Sequence, residues 1–371
     1  MNKTIRIISI LSMISLLSGC KAKETMEIIL KEYNEKLSFL TENQEGYFND
    51  DYINIGKYAS SGKEDLSKSK AINISWDINT NVEDYTFGFK YKCEGDKEFY
   101  IETSETNVDL YNLRLDAEYE YSVDYKFKTN KSAILERGTF KTSDVGLRNL
   151  NIETLSNIRD LGGISIGDGK RIKQGLIYRS AAMNEAYTSD ITISDNDKNY
   201  LVDVLGIKSD VDLRQNVKTS KGIENGELTE SPLGKEVTYK MTPMVYGGNN
   251  VLTKGDNQSS IRAFFEFISH EENYPMMFHC SQGKDRTGAM AYVIEALLGA
   301  EHEDIMRDYL FTNFSNVGSV HRTSMEGDSM VAGTLNNYEN GETLKEKTYN
   351  YLVNETNIPS ETLDRIINIL G

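Results

Sequence analysis

The first half of the chain contains segments in which apolar and polar residues alternate, the period of a β-strand with one buried face. These segments are residues 72–76, 85–89 and 119–125. Polar turns separate them, and residues 138–142 have the composition of a last strand. Short alternating strands at such intervals predict a small β-sandwich over residues 67–145.

The segment before this β-sandwich has a different pattern. Apolar residues recur at the spacing of one helix face, at positions 26, 29, 30, 33, 37 and 40. We therefore expect a short amphipathic helix there. Ser60, Ser61 and Gly62 begin a polar stretch that is typical of a linker. Residues 20–66 are predicted to be an anchor and linker segment.

From residue 147 onward, the patterns of strands and helices alternate. Strands are predicted over residues 207–213 and 275–279, and helices over residues 260–270, 287–298 and 359–370. This alternation indicates an α/β domain over residues 147–371. The predicted fold class is therefore multidomain, with a β-sandwich followed by an α/β domain.

The first residues have the pattern of an export signal. Lys3 and Arg6 accompany an apolar stretch over residues 5–17 that is too short to span a bilayer as a stable helix. The string Leu17-Ser18-Gly19-Cys20 follows and resembles the lipobox of bacterial lipoproteins, in which the cysteine is lipidated. The resemblance implies a signal peptide over residues 1–19 and a lipid on Cys20, which would anchor the protein to the extracytoplasmic side of a bacterial cell membrane. An ordinary signal peptide with an incidental Cys20 is the alternative.

Charge and cysteine content narrow the possible functions. The 371 residues include 41 Lys and Arg against 57 Asp and Glu, a net charge of −16. This acidity argues against a nucleic-acid partner, because affinity for nucleic acid rests on neutralising phosphates with Lys and Arg. With Cys20 assigned to lipid, only Cys93 and Cys280 remain, so no disulfide framework is expected. We expect Cys93 to be a buried side chain in a strand.

Cys280 lies in a loop with the chemistry of an anion site. The string from His279 to Gly288 reads His-Cys-Ser-Gln-Gly-Lys-Asp-Arg-Thr-Gly and connects a predicted strand to a predicted helix. Unpaired backbone N–H groups and the helix dipole attract an anion at such a place, and Gly283 allows the loop to curl. The same field should lower the pKa of the Cys280 thiol, and Arg286 can bind two phosphate oxygens with its planar guanidinium. Cys280 and Arg286 are therefore the candidate nucleophile and phosphate clamp.

His-Cys-x5-Arg-Thr-Gly resembles the signature of protein tyrosine phosphatases and their dual-specificity and phosphoinositide relatives. Three more strings match, in order, the bacterial tyrosine phosphatase family that also acts on phosphoinositides. They are Asn157-Ile158-Arg159-Asp160-Leu161-Gly162-Gly163, Tyr178-Arg179-Ser180 and Asp212-Leu213-Arg214. The resemblance covers roughly residues 148–371. It implies hydrolysis of phosphate monoesters through a phosphocysteine, without a metal or other cofactor.

The resemblance also implies roles for the other loop residues. Ser281, Gln282, Gly283 and Lys284 would bind the substrate, and Lys284 would meet a second phosphate unless it is simply a solvated lysine. The Thr287 hydroxyl would stabilise the sulfur as a leaving group. We expect His279 to order the loop rather than to transfer protons.

The proton donor to the leaving oxygen stays open between two carboxylates. Asp212 corresponds to the general acid proposed for the bacterial family, and Asp285 to the loop aspartate of myotubularin-like enzymes. Alternatively, Asp212 pairs with Arg214 or caps a turn, and Asp285 turns away to pair with a cation.

The β-sandwich carries a resemblance of its own. Trp76 is the single Trp of the chain, and Leu113 precedes Tyr119 by six positions. This arrangement resembles the fibronectin type III fold, in which a Trp fills the core and a tyrosine corner follows a Leu. That family usually has Pro where this chain has Leu115, so another small β-sandwich is the alternative.

The expected substrates are phosphotyrosine in proteins, phosphoserine or phosphothreonine, and phosphoinositides. One alternative is an inositol polyphosphate (phytase-like) phosphatase, for which a more basic surface would be expected. Another is a non-catalytic surface protein whose β-sandwich binds a partner. A redox role for Cys280 would need a resolving thiol, and Cys93 lies in a different predicted domain.

Overall fold

The computed structural model describes residues 25–60, 62–127, 135–184, 192–215, 217–218, 224–225, 230–245, 250–253, 255–317 and 330–371. The predicted signal peptide and Cys20 lie outside these residues. Among the helices of the described residues, none combines the length and the apolar character needed to cross a membrane.

Two antiparallel sheets with a common core form the first half of the described chain. Their strands are β1 (Met26–Leu30), β2 (Ile72–Thr80), β3 (Tyr85–Cys93), β4 (Phe99–Thr103), β5 (Asn107–Leu110), β6 (Glu118–Phe127) and β7 (Glu136–Lys141). One sheet has the order β1-β2-β5 and the other β4-β3-β6-β7. Trp76 of the first sheet packs against Phe87 and Phe89 of the second. We call these strands and their turns the two-sheet unit.

The strands predicted from alternation are confirmed within β2, β3, β6 and β7. The helix predicted from residue 26 is wrong, because the chain forms β1 there. β1 pairs with the end of β2, from Met26 opposite Thr80 to Leu30 opposite Trp76. Met26 and Ile28 are buried, Glu27 and Ile29 are exposed and Leu30 is half-buried, which is the period of a strand. Pairing with the edge of β2 thus overrides an ambiguous local pattern.

The segment between β1 and β2 packs against the second half of the chain. It contains α1 (Glu42–Phe48) and a 3₁₀ helix at Tyr52–Lys57. Tyr47 and Ile55 are buried in the hydrophobic core of the C-terminal half. The Arg307 guanidinium donates a hydrogen bond of 3.0 Å to the Tyr47 carbonyl oxygen. This part of the predicted anchor and linker segment is therefore packed structure.

The α/β character predicted for the second half is confirmed, and we call residues 147–371 the α/β domain. Its strands are β8 (Arg148–Asn149), β9 (Arg159–Asp160), β10 (Ile177–Ser180), β11 (Ser209–Asp212), β12 (Val217–Lys218), β13 (Glu224–Asn225), β14 (Thr238–Met241) and β15 (Met276–His279). Its helices are α2 (Asp195–Asn199), α3 (Gln258–Ile268), α4 (Arg286–Leu298), α5 (His302–Phe311), α6 (Val331–Asn336), α7 (Leu344–Asn354) and α8 (Ser360–Leu370). The main sheet of the described residues has the order β14-β11-β15-β10-β9-β8. The first four strands of this order are parallel, and β9 and β8 are antiparallel to their neighbours.

The central helix of this domain is α4. Every residue from Thr287 to Leu298 is buried, because α5, α6, α7, α8, β10 and β15 all contact this helix. Its small residues Gly288, Ala289 and Ala291 allow such close packing. The start of α4 is therefore held firmly beside the end of β15.

The register of the parallel strands brings three strand ends together. His279 at the end of β15 lies opposite Ser180 of β10 and opposite Asp212 of β11. We call this side of the sheet the C-terminal edge. In open α/β sheets, ligands bind beyond the carboxyl ends of the strands. The loop after His279 lies at this edge.

Candidate active site

The loop from Cys280 to Asp285 connects β15 to α4 and is fixed against β10. Gly283 has a φ of +67°, and a Cβ at this position would lie 2.3 Å from the Ser180 carbonyl oxygen. Only glycine fits this close approach. The Ala182 N–H donates to the Ser281 carbonyl oxygen at 3.2 Å. The loop is therefore held in one shape by the end of β10.

Cys280 is 3% exposed at the start of this loop. Burial raises the pKa of its thiol, but the Arg286 guanidinium and the hydroxyl and N–H of Thr287 lower it more. Asp285 works in the opposite direction, so its carboxylate is close enough to act on the sulfur. The balance places the Cys280 pKa below its ordinary value, which favours the nucleophilic thiolate.

Arg286 is the first residue of α4 and is half-buried. Its Nη1 donates to the carbonyl oxygens of Leu213 at 3.4 Å and Met244 at 3.3 Å. These residues follow β11 and β14, so strand ends orient the guanidinium. The arrangement keeps the charge of Arg286 at the same C-terminal edge as Cys280.

His279 is fully buried beneath the loop. Its Nδ1 lies 3.2 Å from the Cys280 carbonyl oxygen, and its Nε2 lies 3.1 Å from Asp210 Oδ1. Burial lowers the pKa of His279, but Asp212 and Asp210 raise it more. This position, between the loop backbone and β11, suits a group that orders the loop.

Asp212 is fully buried and pairs with Arg214. Arg214 Nε donates to Asp212 Oδ1 at 2.9 Å, Nη2 donates to Oδ2 at 2.6 Å, and the Tyr239 hydroxyl donates to Oδ2 at 2.9 Å. Burial raises the pKa of Asp212, but His279 and Arg214 bring it down to about 2. The pairing that the sequence left as an alternative is present, and the carboxyl is ionised at neutral pH.

Asp285 and Lys284 are both buried in the loop, with 8% and 6% of their surface exposed. Asp285 is the N-cap residue of α4, yet its side chain does not cap the helix. Lys284 is therefore not the solvated lysine that the sequence allowed.

Asn157 and Arg179 support the loop from below. Asn157 Nδ2 donates to the carbonyl oxygens of Gln282 at 3.2 Å and Gly283 at 3.1 Å. Arg179 Nη2 donates to the Gly283 carbonyl oxygen at 2.8 Å. Two of the strings that the sequence analysis recognised therefore contribute residues that support this loop directly.

Sequence reasoning missed Asp308 and Glu295, which complete this support. Asp308 on α5 accepts from Arg159 Nε at 2.5 Å and from Arg179 Nη1. Burial and the adjacent Asp308 raise the pKa of Glu295 on α4 well above its ordinary value. The available signal was a lone acid on an apolar helix face, Glu295 in α4 and Asp308 beside Tyr309 in α5.

Known proteins resemble the C-terminal part of the chain. Residues 150–366, more than half of the chain, match the sequence model of the tyrosine phosphatase family. A putative tyrosine-protein phosphatase of Cupriavidus necator is 28% identical over 206 residues, which are 50% of this chain and 70% of that protein. A tyrosine-protein phosphatase of Nostoc commune is 27% identical over 135 residues, which are 33% of this chain and 46% of that protein.

Among solved structures, the core catalytic domain of the PP-IP phosphatase SIW14 from S. cerevisiae, in complex with citrate, has 17% identity and a TM-score of 0.30. The match covers 44% of this chain and 80% of that one. At this TM-score the likeness carries no weight for the function.

Proposed function

The chain belongs to the tyrosine phosphatase family and is a cysteine-dependent phosphatase, and from this premise we propose that Cys280 is its nucleophile, Arg286 its phosphate clamp and phosphotyrosine in proteins its main substrate. The observation that carries the assignment is the loop itself. The buried Cys280 thiol, whose pKa is lowered, lies at the start of the loop. The Arg286 guanidinium, which contributes to lowering that pKa, lies at its end.

The reaction proceeds in two displacements. The Cys280 thiolate attacks phosphorus and forms the S–P bond while the bond to the leaving oxygen breaks and an acid protonates that oxygen. Water then attacks the phosphocysteine, which releases phosphate and restores the thiolate. Arg286 and the loop N–H groups hold the equatorial oxygens through both steps. Thr287 stabilises the sulfur whenever it carries charge.

We assign the acid to Asp285 rather than to Asp212. Asp212 is fully buried against Arg214 and has a pKa of about 2, so it holds no proton to give at neutral pH. Asp285 lies in the loop and acts electrostatically on Cys280. It is therefore near the bond that breaks, and Asp212 serves to hold Arg214 and His279.

A substrate with a second phosphate is the second candidate, in the form of a phosphoinositide. The supporting observation is the burial of Lys284 within the loop, where only 6% of its surface is exposed. Such a cation would compensate extra negative charge on the substrate.

The N-terminal half completes the proposal. The two-sheet unit is a fibronectin type III-like module, an assignment supported by Trp76 in its core and by the Arg114 N–H, which donates to the Tyr119 hydroxyl at 2.9 Å as in a tyrosine corner. Cys20 carries a lipid that anchors the protein on the extracytoplasmic side of the bacterial membrane.

The test compares the full chain with Cys280→Ser under reducing conditions. The wild type should hydrolyse a phosphotyrosine peptide faster than phosphoserine and phosphothreonine peptides, and Cys280→Ser should lower kcat by more than about a thousandfold while peptide binding persists. Cys93→Ala is the matched control, because Cys93 lies in the two-sheet unit. Turnover by Cys280→Ser close to that of the wild type would refute the nucleophile.

A further inference from the structure

The described chain begins at one end of the two-sheet unit. The Thr25 N–H donates to Asn81 Oδ1 at 2.9 Å, and Thr80 Oγ1 donates to the Thr25 carbonyl oxygen at 2.9 Å. Asn81 lies in the turn between β2 and β3, and β6 ends at this same side because Tyr85 pairs with Phe127. We call this end the far pole. The described chain therefore begins at the far pole, with Thr25.

The opposite pole of the two-sheet unit contacts the α/β domain. The Leu115 N–H donates to Gln174 Oε1 at 2.8 Å, and Gln174 Nε2 donates to the Leu115 carbonyl oxygen at 2.8 Å. Arg148 donates to the carbonyl oxygens of Asn112 at 3.1 Å and Leu113 at 3.3 Å. Leu115 precedes β6, so the contact lies at the start of the strand that ends at the far pole.

These contacts also fix the orientation of the α/β domain. Gln174 precedes β10, and Asp203, whose carbonyl oxygen accepts from Lys97 Nζ, precedes β11. Both lie at the amino ends of parallel strands. Cys280 follows the carboxyl end of β15, which is parallel to β10 and β11. The two-sheet unit is thus docked at the edge of the sheet opposite to the phosphate loop.

The contacts are of a kind that resists bending. The Gln174 amide pairs with both backbone groups of Leu115, and Arg148 forms an ion pair of 2.7 Å with Asp160 while it binds Asn112 and Leu113. Arg148 and Asp160 are both buried. Bending at this junction would break the hydrogen bonds that the buried Arg148 donates to Asn112 and Leu113, and a buried group left without its partner costs about 1–3 kcal/mol.

The lengths follow from the strands. At about 3.3 Å per residue, the ten residues of β6 separate the two poles by about 30 Å, and the four residues of β10 add about 13 Å. The five residues from Cys20 to Thr25 reach at most about 18 Å when fully extended. The tether is therefore much shorter than the distance from the far pole to the phosphate loop.

We propose that the two-sheet unit is a rigid spacer that directs the active site away from the membrane carrying the enzyme, so that its substrates are phosphorylated proteins reached from the surrounding medium and not lipid headgroups of that membrane. This inference rests on the proposed lipidation of Cys20 and on the proposed phosphatase site. The inference distinguishes between phosphoproteins and phosphoinositides, the two substrate classes that the loop chemistry leaves open. A phosphoinositide in the anchoring bilayer would lie on the side of the protein opposite to the active site.

The experiment uses the lipidated full chain in phosphatidylcholine vesicles. A soluble phosphotyrosine peptide is one substrate, and a phosphoinositide is the other, placed either in the same vesicles or in detergent micelles. We expect vesicle-bound and detergent-solubilised enzyme to hydrolyse the peptide equally. The phosphoinositide should be hydrolysed at least about tenfold more slowly in the anchoring vesicle than in micelles. A flexible insert of about 30 Gly and Ser residues between Cys20 and Thr25 should remove that difference for any lipid hydrolysed in micelles.

Equal rates on the phosphoinositide in the anchoring vesicle and in micelles would overturn the spacer, and so would failure of the full chain to associate with vesicles. Loss of activity on the peptide as well would instead count against the proposed function. Geometry can then be tested alone, by energy transfer from a fluorophore to a dye at the vesicle surface. A fluorophore at exposed Glu83, in the far-pole turn, should transfer efficiently, whereas one at exposed Pro243, just after β14, should not. Equal transfer from both positions would refute the orientation.

Discussion

Replacing Asp212 with Asn tests whether this residue is a structural carboxylate or the general acid. The pKa of Asp212 is about 2, against an ordinary value of 3.8. At about 1.36 kcal/mol per pKa unit, this difference corresponds to roughly 2 kcal/mol of stability at neutral pH. The substitution also leaves the buried Arg214 without its carboxylate, which commonly costs about 3–5 kcal/mol. We expect Asp212→Asn to lower the free energy of unfolding by about 3 kcal/mol.

The pH dependence of this effect has a definite sign. Because the folded pKa is depressed, the stabilisation from Asp212 is complete above the unfolded pKa near 4 and is lost as the pH falls toward 2. Urea unfolding at several pH values should therefore show a large difference between wild type and Asp212→Asn at pH 7. The stabilities of the two proteins should approach each other as the pH falls from about 4 to about 2.

Kinetics complete the test. With p-nitrophenyl phosphate, whose leaving group needs no proton, and with phenyl phosphate, whose leaving group does, Asp212→Asn should lose kcat/KM by the same factor. Asp285→Asn should lose about a hundredfold more with phenyl phosphate than with the nitrophenyl ester. An Asp212→Asn variant that is as stable as the wild type and is slow only with phenyl phosphate would show that Asp212 is the acid and that our reasoning is wrong.

Three further substitutions test the support of the loop. Gly283→Ala should reduce kcat by at least about a hundredfold, because its Cβ would lie 2.3 Å from the Ser180 carbonyl oxygen. Gly255→Ala is the control and should match the wild type in the same assay, because open space surrounds that position. Thr287→Val removes a hydroxyl that lowers the pKa of Cys280, so the pH midpoint for alkylation of Cys280 by iodoacetamide should move to higher pH. The measurement uses a Cys93→Ala background, and an unchanged midpoint would contradict that role. Burial raises the pKa of Glu295, so the folded state becomes less favourable as the pH rises above the ordinary value of 4.5, and Glu295→Gln should be at least as stable as the wild type at pH 8. Thermal unfolding at pH 8 checks this, and a Glu295→Gln protein that melts well below the wild type would show that the charged carboxylate is needed.

The loop chemistry could be predicted from the sequence because its parts are neighbours along the chain. Cys280, Gly283 and Arg286 lie within seven residues, between a strand and a helix whose patterns are clear. The conformation of Gly283 and the end of β15 then decide where the thiol and guanidinium lie. Local sequence was sufficient there, because the interactions concerned are local as well.

Other parts depend on contacts between distant residues, and these could not be predicted. β1 is a strand only because the edge of β2 is available to it. Asp308 holds Arg159 and Arg179 across more than a hundred positions of sequence, so the support of the loop was invisible without the fold. The choice of acid likewise needed the burial of Asp212, since a free Asp212 and one paired with Arg214 have the same sequence.

The path of the chain between β1 and β2 has a consequence for how the protein unfolds. The chain leaves the two-sheet unit after β1, packs α1 and Tyr52–Lys57 onto the α/β domain, and returns to form β2. It crosses a third time between β7 and β8. A fragment of the chain that begins near residue 147 would therefore lack Tyr47 and Ile55, which are part of the core of the α/β domain.

Neither half is consequently a self-contained piece of chain. Loss of the two-sheet unit would destabilise the packing of α1 and expose the ring of Phe314, against which Tyr47 packs. Melting of the α/β domain would in turn release the segment that holds β1 in place. The two-sheet unit and the α/β domain should thus unfold in one cooperative transition, as a single thermodynamic unit.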